Sequence, residues 1–311
     1  MTQAEQPVQS PDVTTSVNNS AHCGFSGGTG PTIFGPLASV GYRRPVPEIL
    51  EVERYRAVAE QALDRPIARA WMVDARYGRG GTTPARLRAA LVGRTFEAAR
   101  RRGKLLLLDV KDGPTLGVRF GMTGGLVVDG REALDRLRYG PGVFDDKWVR
   151  ARVTFADGGT LLLHDPRRFG SLELAPDEER LGPDALSLTR SQLRGALGGT
   201  PARTHAAVAP LKARLMDQER VAGIGNLLAD EILWRAGLDP ERRTPLSEEE
   251  LEDLARAVRT TLRQLARRGG SHTGDLMEER HPSGHCPLDG APLRRDTVGG
   301  RTTFWCPVHQ H

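Results

Sequence analysis

The sequence predicts an α+β protein in three parts: a β-sandwich domain with one helix at its start, a helical domain, and a C-terminal β-hairpin. Short apolar runs separated by Gly, Asp and Pro fill residues 47–175, and this spacing is typical of a β-sandwich or barrel. Apolar residues at helical spacing occupy residues 183–270. Residues 281–311 carry Cys and His at both ends and Gly299-Gly300 near the centre, which indicates a hairpin held by a metal ion.

The composition is that of a globular protein. The 311 residues are 38% hydrophobic and 27% charged, and no run approaches the length of an apolar membrane span. The net charge of +5 is compatible with a polyanionic partner such as nucleic acid, although a GC-rich genome also produces arginine-rich chains. Three cysteines do not make a disulfide framework, so we expect the protein to reside in the cytoplasm.

Residues 1–46 are rich in Ser, Thr, Gly, Pro and Asn. They lack periodicity and the features of a signal peptide, so we expect them to be disordered. Val46 offers an explanation for this segment, because a GTG codon is read as valine inside a gene and as methionine at a start. Two interpretations stay open: translation begins at position 46 and exposes Pro47, or the segment is a genuine tail.

The β-rich part starts with a predicted helix that opens at Pro47, since proline suits the first helical turn. Glu48 and Glu51 follow where the helix macrodipole favours negative charge. On these residues alone the segment is an ordinary helix start. Six strand-like runs follow, separated by turn signals: Lys104–Val110, Thr115–Phe120, Leu126–Val128, Val149–Phe155, Thr160–His164 and Leu172–Leu174.

A polar linker, residues 176–183, leads to the helical part. Ser247 and Glu250 form a capping-box pattern, and Gly269-Gly270 ends the last helix. The turn Gly223-Ile224-Gly225-Asn226 combines permissive glycines with a good N-cap residue, so it is either a plain corner between helices or a phosphate site at a helix N-terminus. The predicted helices are Thr189–Leu197, Leu211–Glu219, Asn226–Ala236 and Ser247–Arg267.

Two Cys-Pro corners define the tail. Zinc accepts Cys, His and carboxylate ligands in a tetrahedral site, so these corners can bind one structural Zn²⁺. His285 or His281 can take the place of the carboxylate, and the alternative is a metal-free hairpin with two buried cysteines. The four candidate ligands are Cys286, Asp289, Cys306 and His309.

Four motifs together resemble the formamidopyrimidine-DNA glycosylase and endonuclease VIII family over residues 47–311. They are Pro47-Glu48, Arg101-Arg102-Gly103-Lys104, the run from Met216 to Asn226 that continues into Leu228-Ala229-Asp230-Glu231, and the two Cys-Pro corners. In that family the mature chain begins with Pro-Glu and the proline amine is the nucleophile. The resemblance implies that residues 47–175 are a catalytic β-sandwich domain, 183–270 a helix–two-turn–helix domain and 281–311 a zinc finger, which in the family usually has four cysteines.

The same resemblance implies roles for individual residues. Pro47 becomes the nucleophile, Glu48 a general acid/base at the sugar, Glu51 a group that balances charge around them, and Lys104 a phosphate ligand beside the lesion. Without the resemblance these side chains, and those that follow, are ordinary solvated charges or core residues. The implied DNA contacts are Met122 in the gap left by an extruded base, Arg167 with the orphaned base, Phe169 as a wedge, and Asn226 and Arg301 on phosphate.

We therefore expect a bifunctional DNA glycosylase and apurinic/apyrimidinic lyase, acting as a monomer on double-stranded DNA with oxidised or abasic sites. The nitrogen of Pro47 is an amide in the chain as written, so the alternative is a catalytically silent DNA-binding protein of the same fold. A metal-dependent nuclease is poorly supported, because no carboxylate cluster suits Mg²⁺. Residues 271–284 are too short for a full loop that closes over 8-oxoguanine, which argues against strong activity on that lesion.

Overall fold

In the computed structural model, the residues described are 46–132, 145–198 and 209–311. The interpretation of residues 1–46 as disordered therefore lies, apart from Val46, outside the described residues. The helices and strands, in chain order, are α1 Ile49–Ala59, β1 Ile67–Met72, β2 Gly78–Arg79, α2 Pro84–Leu91, β3 Phe96–Arg102, β4 Leu105–Val110, β5 Leu116–Arg119, β6 Gly125–Val128, β7 Arg131–Glu132, β8 Val149–Phe155, β9 Thr160–His164, β10 Ser171–Leu174, α3 Arg190–Gly198, α4 Leu211–Met216, α5 Asn226–Ala236, α6 Glu248–Arg268, β11 Arg294–Val298 and β12 Arg301–Trp305.

The first part is a β-sandwich, as the sequence predicts. Within the described residues its strands form two five-stranded sheets, in the orders β1-β8-β9-β6-β7 and β2-β10-β5-β4-β3. All neighbouring strands are antiparallel except β2 and β10. Alternate residues of β8 are buried, which is the burial pattern of a strand with one face on a core. Apolar side chains from both sheets share that core.

Helix α1 joins the sandwich to the helical domain. Val52 and Tyr55 pack into the sandwich core, whereas Ile49 and Leu50 pack into the core of the helical domain. The prediction that this helix opens at Pro47 was wrong by two residues. Glu48 is extended, with φ −109° and ψ −171°, because it serves as the N-cap, so Pro47 lies outside the helix.

Helices α3 to α6 build the second core. The predicted capping box of Ser247 and Glu250 is present, and Gly269 ends α6 with a φ of +122° that favours glycine. Helix α5 has the predicted bounds, but its N-cap is Gly225 and Asn226 is its first helical residue. The expectation that Asn226 caps this helix was therefore wrong, and its side chain is free for another contact.

The hairpin β11–β12 closes the chain, with Gly299 and Gly300 in its turn at φ +57° and +73°. Strand β3 was not predicted, because its arginines hide the apolar alternation and only Phe96 is buried. The prediction that Lys104 opens a strand was wrong, because Lys104 lies in the turn before β4, which begins at Leu105. Among the described residues, no helix is both long and apolar enough to cross a membrane.

Candidate active site and metal centre

The carboxylate of Glu48 is fixed at the N-terminus of α5. It accepts hydrogen bonds from the backbone N–H groups of Gly225 at 2.8 Å, Leu227 at 2.8 Å and Leu228 at 3.3 Å, and the residue is 1% exposed. A β-carbon at Gly225 would lie 2.3 Å from the Glu48 carboxyl carbon. Glycine is therefore required here, so that the helix end can receive the carboxylate of a residue far away in sequence.

The burial of Glu48 changes its acidity. Desolvation raises its pKa, the charge of Lys104 and two helix N–H groups oppose this rise, and the charge of Glu51 adds to it. Desolvation in turn lowers the pKa of Lys104, while Glu48 and Glu51 counteract that decrease. The site thus places an acid with a raised pKa near a lysine with a lowered one, and shifted values of this kind are frequent where proton transfer occurs.

Glu51 lies one helical turn further along α1 and is fully buried. One carboxylate oxygen accepts the backbone N–H of Glu48 at 2.9 Å. The other accepts the backbone N–H of Ser271 at 2.7 Å and its hydroxyl at 2.8 Å. Gly270 is also confined here, because a β-carbon would lie 2.5 Å from Glu51 Oε1 and 3.2 Å from His272 Nδ1. Glu51 thereby connects the start of α1 to the segment after α6.

Pro47 is buried directly before this pair of carboxylates. The side chain of Glu48 points to α5, and the backbone N–H of Glu48 is held by Glu51. The backbone on the C-terminal side of Pro47 is therefore fixed by two buried acids. Their arrangement suits a group that reacts at position 47 while a neighbouring carboxyl exchanges protons.

The turn that carries Lys104 is clamped by an ion pair. Arg101 Nη1 lies 2.6 Å from Asp184 Oδ2, and the same oxygen accepts the backbone N–H of Gly103 at 2.7 Å. Arg101 also pairs with Glu53 of α1 at 2.7 Å. This network connects α1, the β3–β4 turn and the segment before α3, so it sets where Lys104 stands.

Two loops carry the predicted wedge residues. Met122 is 41% exposed in the loop after β5, and Phe169 is 50% exposed in the loop after β9. Arg167 stacks on the Phe169 ring at 4.7 Å. Buried Asp165 ties the loops together by accepting the hydroxyl of Thr123 at 2.6 Å. The structure therefore brings these three side chains to neighbouring loops and leaves them open to solvent.

The predicted phosphate contacts lie near α5 and the hairpin. The Asn226 amide donates to the backbone carbonyl of Thr302 at 3.0 Å, while its Oδ1 is buried without a partner among the described residues. Lys212 donates to the same carbonyl at 3.2 Å and pairs with buried Asp230 at 2.6 Å. Arg301 is exposed beside this carbonyl on the hairpin, and its charge acts on Lys104.

The four predicted metal ligands come together in the tail. One ligand atom from each of Cys286, Asp289, Cys306 and His309 lies within 4.8 Å of all the others. His309 Nε2 contacts the backbone carbonyl of Trp234 at 3.1 Å, which leaves Nδ1 free to face the cluster. Backbone N–H groups also point at both sulfur atoms, at 3.4 Å each.

This donor set fits a zinc ion, since zinc takes sulfur, imidazole and carboxylate ligands in one tetrahedral site. A backbone hydrogen bond from Ala291 holds the pKa of Asp289 at about 2, so the carboxylate is ionised at neutral pH. His281 and His285, the two alternatives to Asp289, are exposed and lie outside the cluster in the part of the chain that the structure describes.

Several contacting residues had no signal in the sequence. Ser271 holds Glu51, Asp184 holds the Lys104 turn, and Trp234 contacts the metal cluster. His272 lies beside Glu51, and desolvation lowers its pKa. Of these places, only the segment after α6 had a signal in the sequence. That signal is the Gly269-Gly270 pair, which indicates the end of the last helix.

Comparison with known proteins agrees with this architecture. Residues 46–172 match the model of the formamidopyrimidine-DNA glycosylase N-terminal domain, and residues 181–276 match that of the formamidopyrimidine-DNA glycosylase H2TH domain. A curated formamidopyrimidine-DNA glycosylase from Thermus thermophilus is 36% identical over 73% of this chain and 87% of its own length. Another from Mesorhizobium japonicum is 31% identical over 85% of this chain and 100% of its own length.

Solved structures show the same likeness. A complex of the LlFpg protein with a THF-DNA and an inhibitor superposes with a TM-score of 0.70 at 26% identity, covering 85% of this chain and 100% of that one. A complex of Lactococcus lactis Fpg with DNA containing an abasic site gives a TM-score of 0.69 at 25% identity, with the same coverage. The fold is thus that of a base-excision-repair DNA glycosylase. The chain belongs to the formamidopyrimidine-DNA glycosylase family.

Proposed function

We propose that this protein removes oxidised bases from double-stranded DNA and then cleaves the resulting abasic site, with the amine of Pro47 as the nucleophile. The observation that carries the proposal is the pair of buried, hydrogen-bonded carboxylates that follows Pro47 directly. Relatives of this chain have been solved with DNA containing a FAPY-dG, an oxidised pyrimidine or an abasic site, and we extend these classes of lesion to it.

In the proposed reaction the secondary amine of Pro47 attacks C1′ of the damaged nucleotide. The glycosidic bond breaks and the base leaves with a proton. The bound amine then loses its own proton, the C1′–O4′ bond breaks as O4′ takes up a proton, and an iminium ion joins Pro47 to the ring-opened sugar. Loss of a proton from C2′ then expels the 3′ phosphate by β-elimination, and a second elimination releases the 5′ phosphate. Water hydrolyses the iminium and restores the amine. An α-amino group has a pKa near 8, so a useful fraction is uncharged at neutral pH.

Glu48 serves as the acid/base of these steps. Burial raises its pKa and so favours the protonated form, and the N–H groups of α5 stabilise the carboxylate when that proton leaves. Glu51 lies on the other side of the Glu48 backbone and offsets the positive charge of an iminium ion. Lys104 and Arg301 neutralise phosphates around the lesion, and the Asn226 amide donates a hydrogen bond to a phosphate. Met122 fills the gap left by the extruded base, Arg167 pairs with the orphaned base and Phe169 wedges the stack.

Zinc, when bound by Cys286, Asp289, Cys306 and His309, supplies no chemistry to this reaction. It cross-links the two corners of the hairpin that carries Arg301. We expect a monomer that acts on chromosomal DNA in the cytoplasm.

The proposal requires a free amine at Pro47. Two observations support a start near this position. The match to the family's N-terminal domain begins at residue 46, and 85% of this chain covers the whole length of the Mesorhizobium relative. We propose that translation from position 46, or removal of residues 1–46, exposes Pro47. Intact mass and N-terminal sequencing of the protein from its native gene test this: a chain that retains residue 1 or 2 contradicts it.

Borohydride trapping tests the chemistry. A protein that begins at Pro47 and the full 311-residue chain are each incubated with DNA containing an abasic site and reduced with borohydride. We expect a covalent adduct from the first protein alone, since the full chain has an amide nitrogen at Pro47. A Pro47-initiated protein that binds this DNA without forming an adduct would instead be a catalytically silent DNA-binding protein.

A further inference from the structure

At the C-terminal end of α5, Trp234 contacts the metal cluster. Its indole N–H donates to the sulfur of Cys286 at 3.3 Å, and its backbone carbonyl lies 3.1 Å from Nε2 of His309. The indole also packs edge-on to the His309 ring, at 6.0 Å between centroids. Trp234 is 5% exposed, so side chain and main chain of one buried residue contact two of the four candidate ligands.

The carbonyl of Trp234 belongs to the last turn of α5, where carbonyls lack partners within the helix. It accepts the N–H of Gly237 at 3.2 Å, and the imidazole of His309 provides its second hydrogen bond. This bond fixes the proton on Nε2, so the lone pair of Nδ1 faces Cys286 and Asp289 at 3.5 and 3.1 Å. A cysteine in place of His309 has no second polar atom and could not make this contact.

The indole N–H acts on the other ligand. An N–H donor aimed at a sulfur ligand fixes the position of that sulfur and would support its negative charge in a zinc complex. Cys286 receives a second N–H, from the backbone of Leu288 at 3.4 Å. The indole donor differs from that backbone donor because it comes from α5, outside the hairpin.

The residues around this contact attach the chain end to α5. The Gln310 side chain donates to the carbonyl of Leu238 at 3.0 Å, and the N–H of His311 donates to the carbonyl of Gly237 at 3.0 Å. The opposite end of α5 holds the carboxylate of Glu48. One rigid helix of 11 residues therefore runs from the metal cluster to the carboxylate.

We propose that Trp234 is the positioning residue of the metal centre: it orients His309 and supports Cys286 for a bound zinc ion, and it makes zinc binding stabilise the C-terminal end of α5. Outer partners that orient metal ligands commonly change metal affinity ten- to a hundredfold when they are removed. The proposal does not depend on glycosylase activity, since it concerns the zinc site alone.

Zinc transfer to a chromogenic chelator tests the half of the proposal that concerns the indole of Trp234 and its contact with Cys286. Trp234→Phe removes the indole N–H but retains the carbonyl and most of the volume. We expect its zinc affinity to fall about tenfold or more. The matched control is Trp305→Phe. The indole N–H of Trp305 donates to Asp296 and not to a ligand sulfur, so this variant should retain the parental affinity. Equal affinities in the two folded variants would overturn this half of the proposal.

The half of the proposal that concerns the backbone carbonyl of Trp234 and its contact with His309 is tested without changing Trp234. In the Trp305→Phe protein, removal of zinc by a chelator should alter tryptophan emission and accelerate amide hydrogen exchange at Gly237 and Leu238. In a His309→Cys protein, which retains four ligands, zinc removal should leave the exchange of those two amides nearly unchanged. The coupling is overturned if zinc removal has no effect on emission or exchange in the first protein, and these readouts remain decisive if Trp234→Phe does not fold.

Discussion

The carboxylates at the start of α1 and the apolar side chains on the loops after β5 and β9 are held in opposite ways. Glu48 and Glu51 are 1% and 0% exposed, and backbone or hydroxyl groups from distant segments bind each of them. Met122 and Phe169 are 41% and 50% exposed. Stability alone favours neither arrangement, because burial disfavours a charged carboxylate and water disfavours a large apolar side chain.

This difference separates two kinds of functional residue. At the start of α1, which we call the junction, Glu48 and Glu51 are the acids that we assign to chemistry. They also connect α1 to α5 and to the segment after α6, so activity and stability should change together. On the loops, Met122 and Phe169 contribute little to the core, so activity should change alone. Measuring activity and stability for variants of each region tests this distinction.

The largest effect is expected for Glu48→Gln. Loss of the acid/base group should reduce single-turnover cleavage of lesion-containing DNA by about 10²–10⁴-fold. The amide NH₂ would also face one of the helix N–H groups, which costs about 1–3 kcal/mol of stability, measured by denaturant unfolding. The matched control is Glu60→Gln, an exposed carboxylate directly after α1 that pairs with Arg56. Cleavage within tenfold of the parent would remove Glu48 from the mechanism.

The second effect is expected for Phe169→Ala. Unstacking a base costs a few kcal/mol, so loss of the wedge should slow base release from duplex DNA by about tenfold or more. The melting temperature should be unchanged, because surface substitutions usually lie within about 0.5 kcal/mol. Trp71→Ala is the control, since Trp71 is about as exposed, at 48%, and belongs to β1 rather than to either loop. A large loss of stability in Phe169→Ala would contradict the distinction between the regions.

A smaller effect is expected for Arg301→Ala. One lost phosphate contact should weaken binding to all DNA sequences alike and reduce the slope of log affinity against log salt by about 1. Arg295→Ala removes another exposed arginine of the same hairpin and should leave the slope nearly unchanged. If both variants reduce the slope equally, the hairpin contributes only general positive charge.

Elements with local sequence signals could be predicted, whereas elements that depend on distant contacts could not. Helix α5 was predicted with the observed bounds, because Gly-Ile-Gly-Asn marks its start and Gly237 follows its end with a φ of +67°. The sandwich was predicted from apolar runs and turn residues, which are local signals. Strand β3 was missed because its arginines pair with acids across the structure, for example Arg100 with Asp109 and Glu178, and a pairing of this kind leaves no periodic pattern.

The residues of the candidate site also fall into those with a local sequence signal and those without one. The resemblance to a family supplied Glu48, Glu51 and the four metal ligands, whose motifs lie within short stretches. It could not supply Ser271, Asp184 or Trp234, since each acts on a residue between 52 and 220 positions away. Contacts over such separations depend on how the two cores meet at α1, which no local pattern encodes.

The smallest effect is a change in the pH dependence of stability at the junction. Burial raises the pKa of Glu48 above its ordinary value of 4.5, so between that value and the raised one the folded protein binds more protons than the unfolded chain. The contribution of Glu48 to stability is then fully present below pH 4.5 and is lost as pH rises through the folded pKa. Glutamine does not titrate, so the difference in unfolding free energy between the parent and Glu48→Gln should shift against the parent across this window.

Lys104 faces Glu48 and opposes the trend, because its charge lowers the pKa of the acid. Denaturant unfolding of both proteins from pH 4 to pH 8 measures the difference. A difference that stays constant with pH would mean that Lys104 and the α5 amides cancel the desolvation of Glu48, which would leave this acid ionised at neutral pH and without a proton for the sugar.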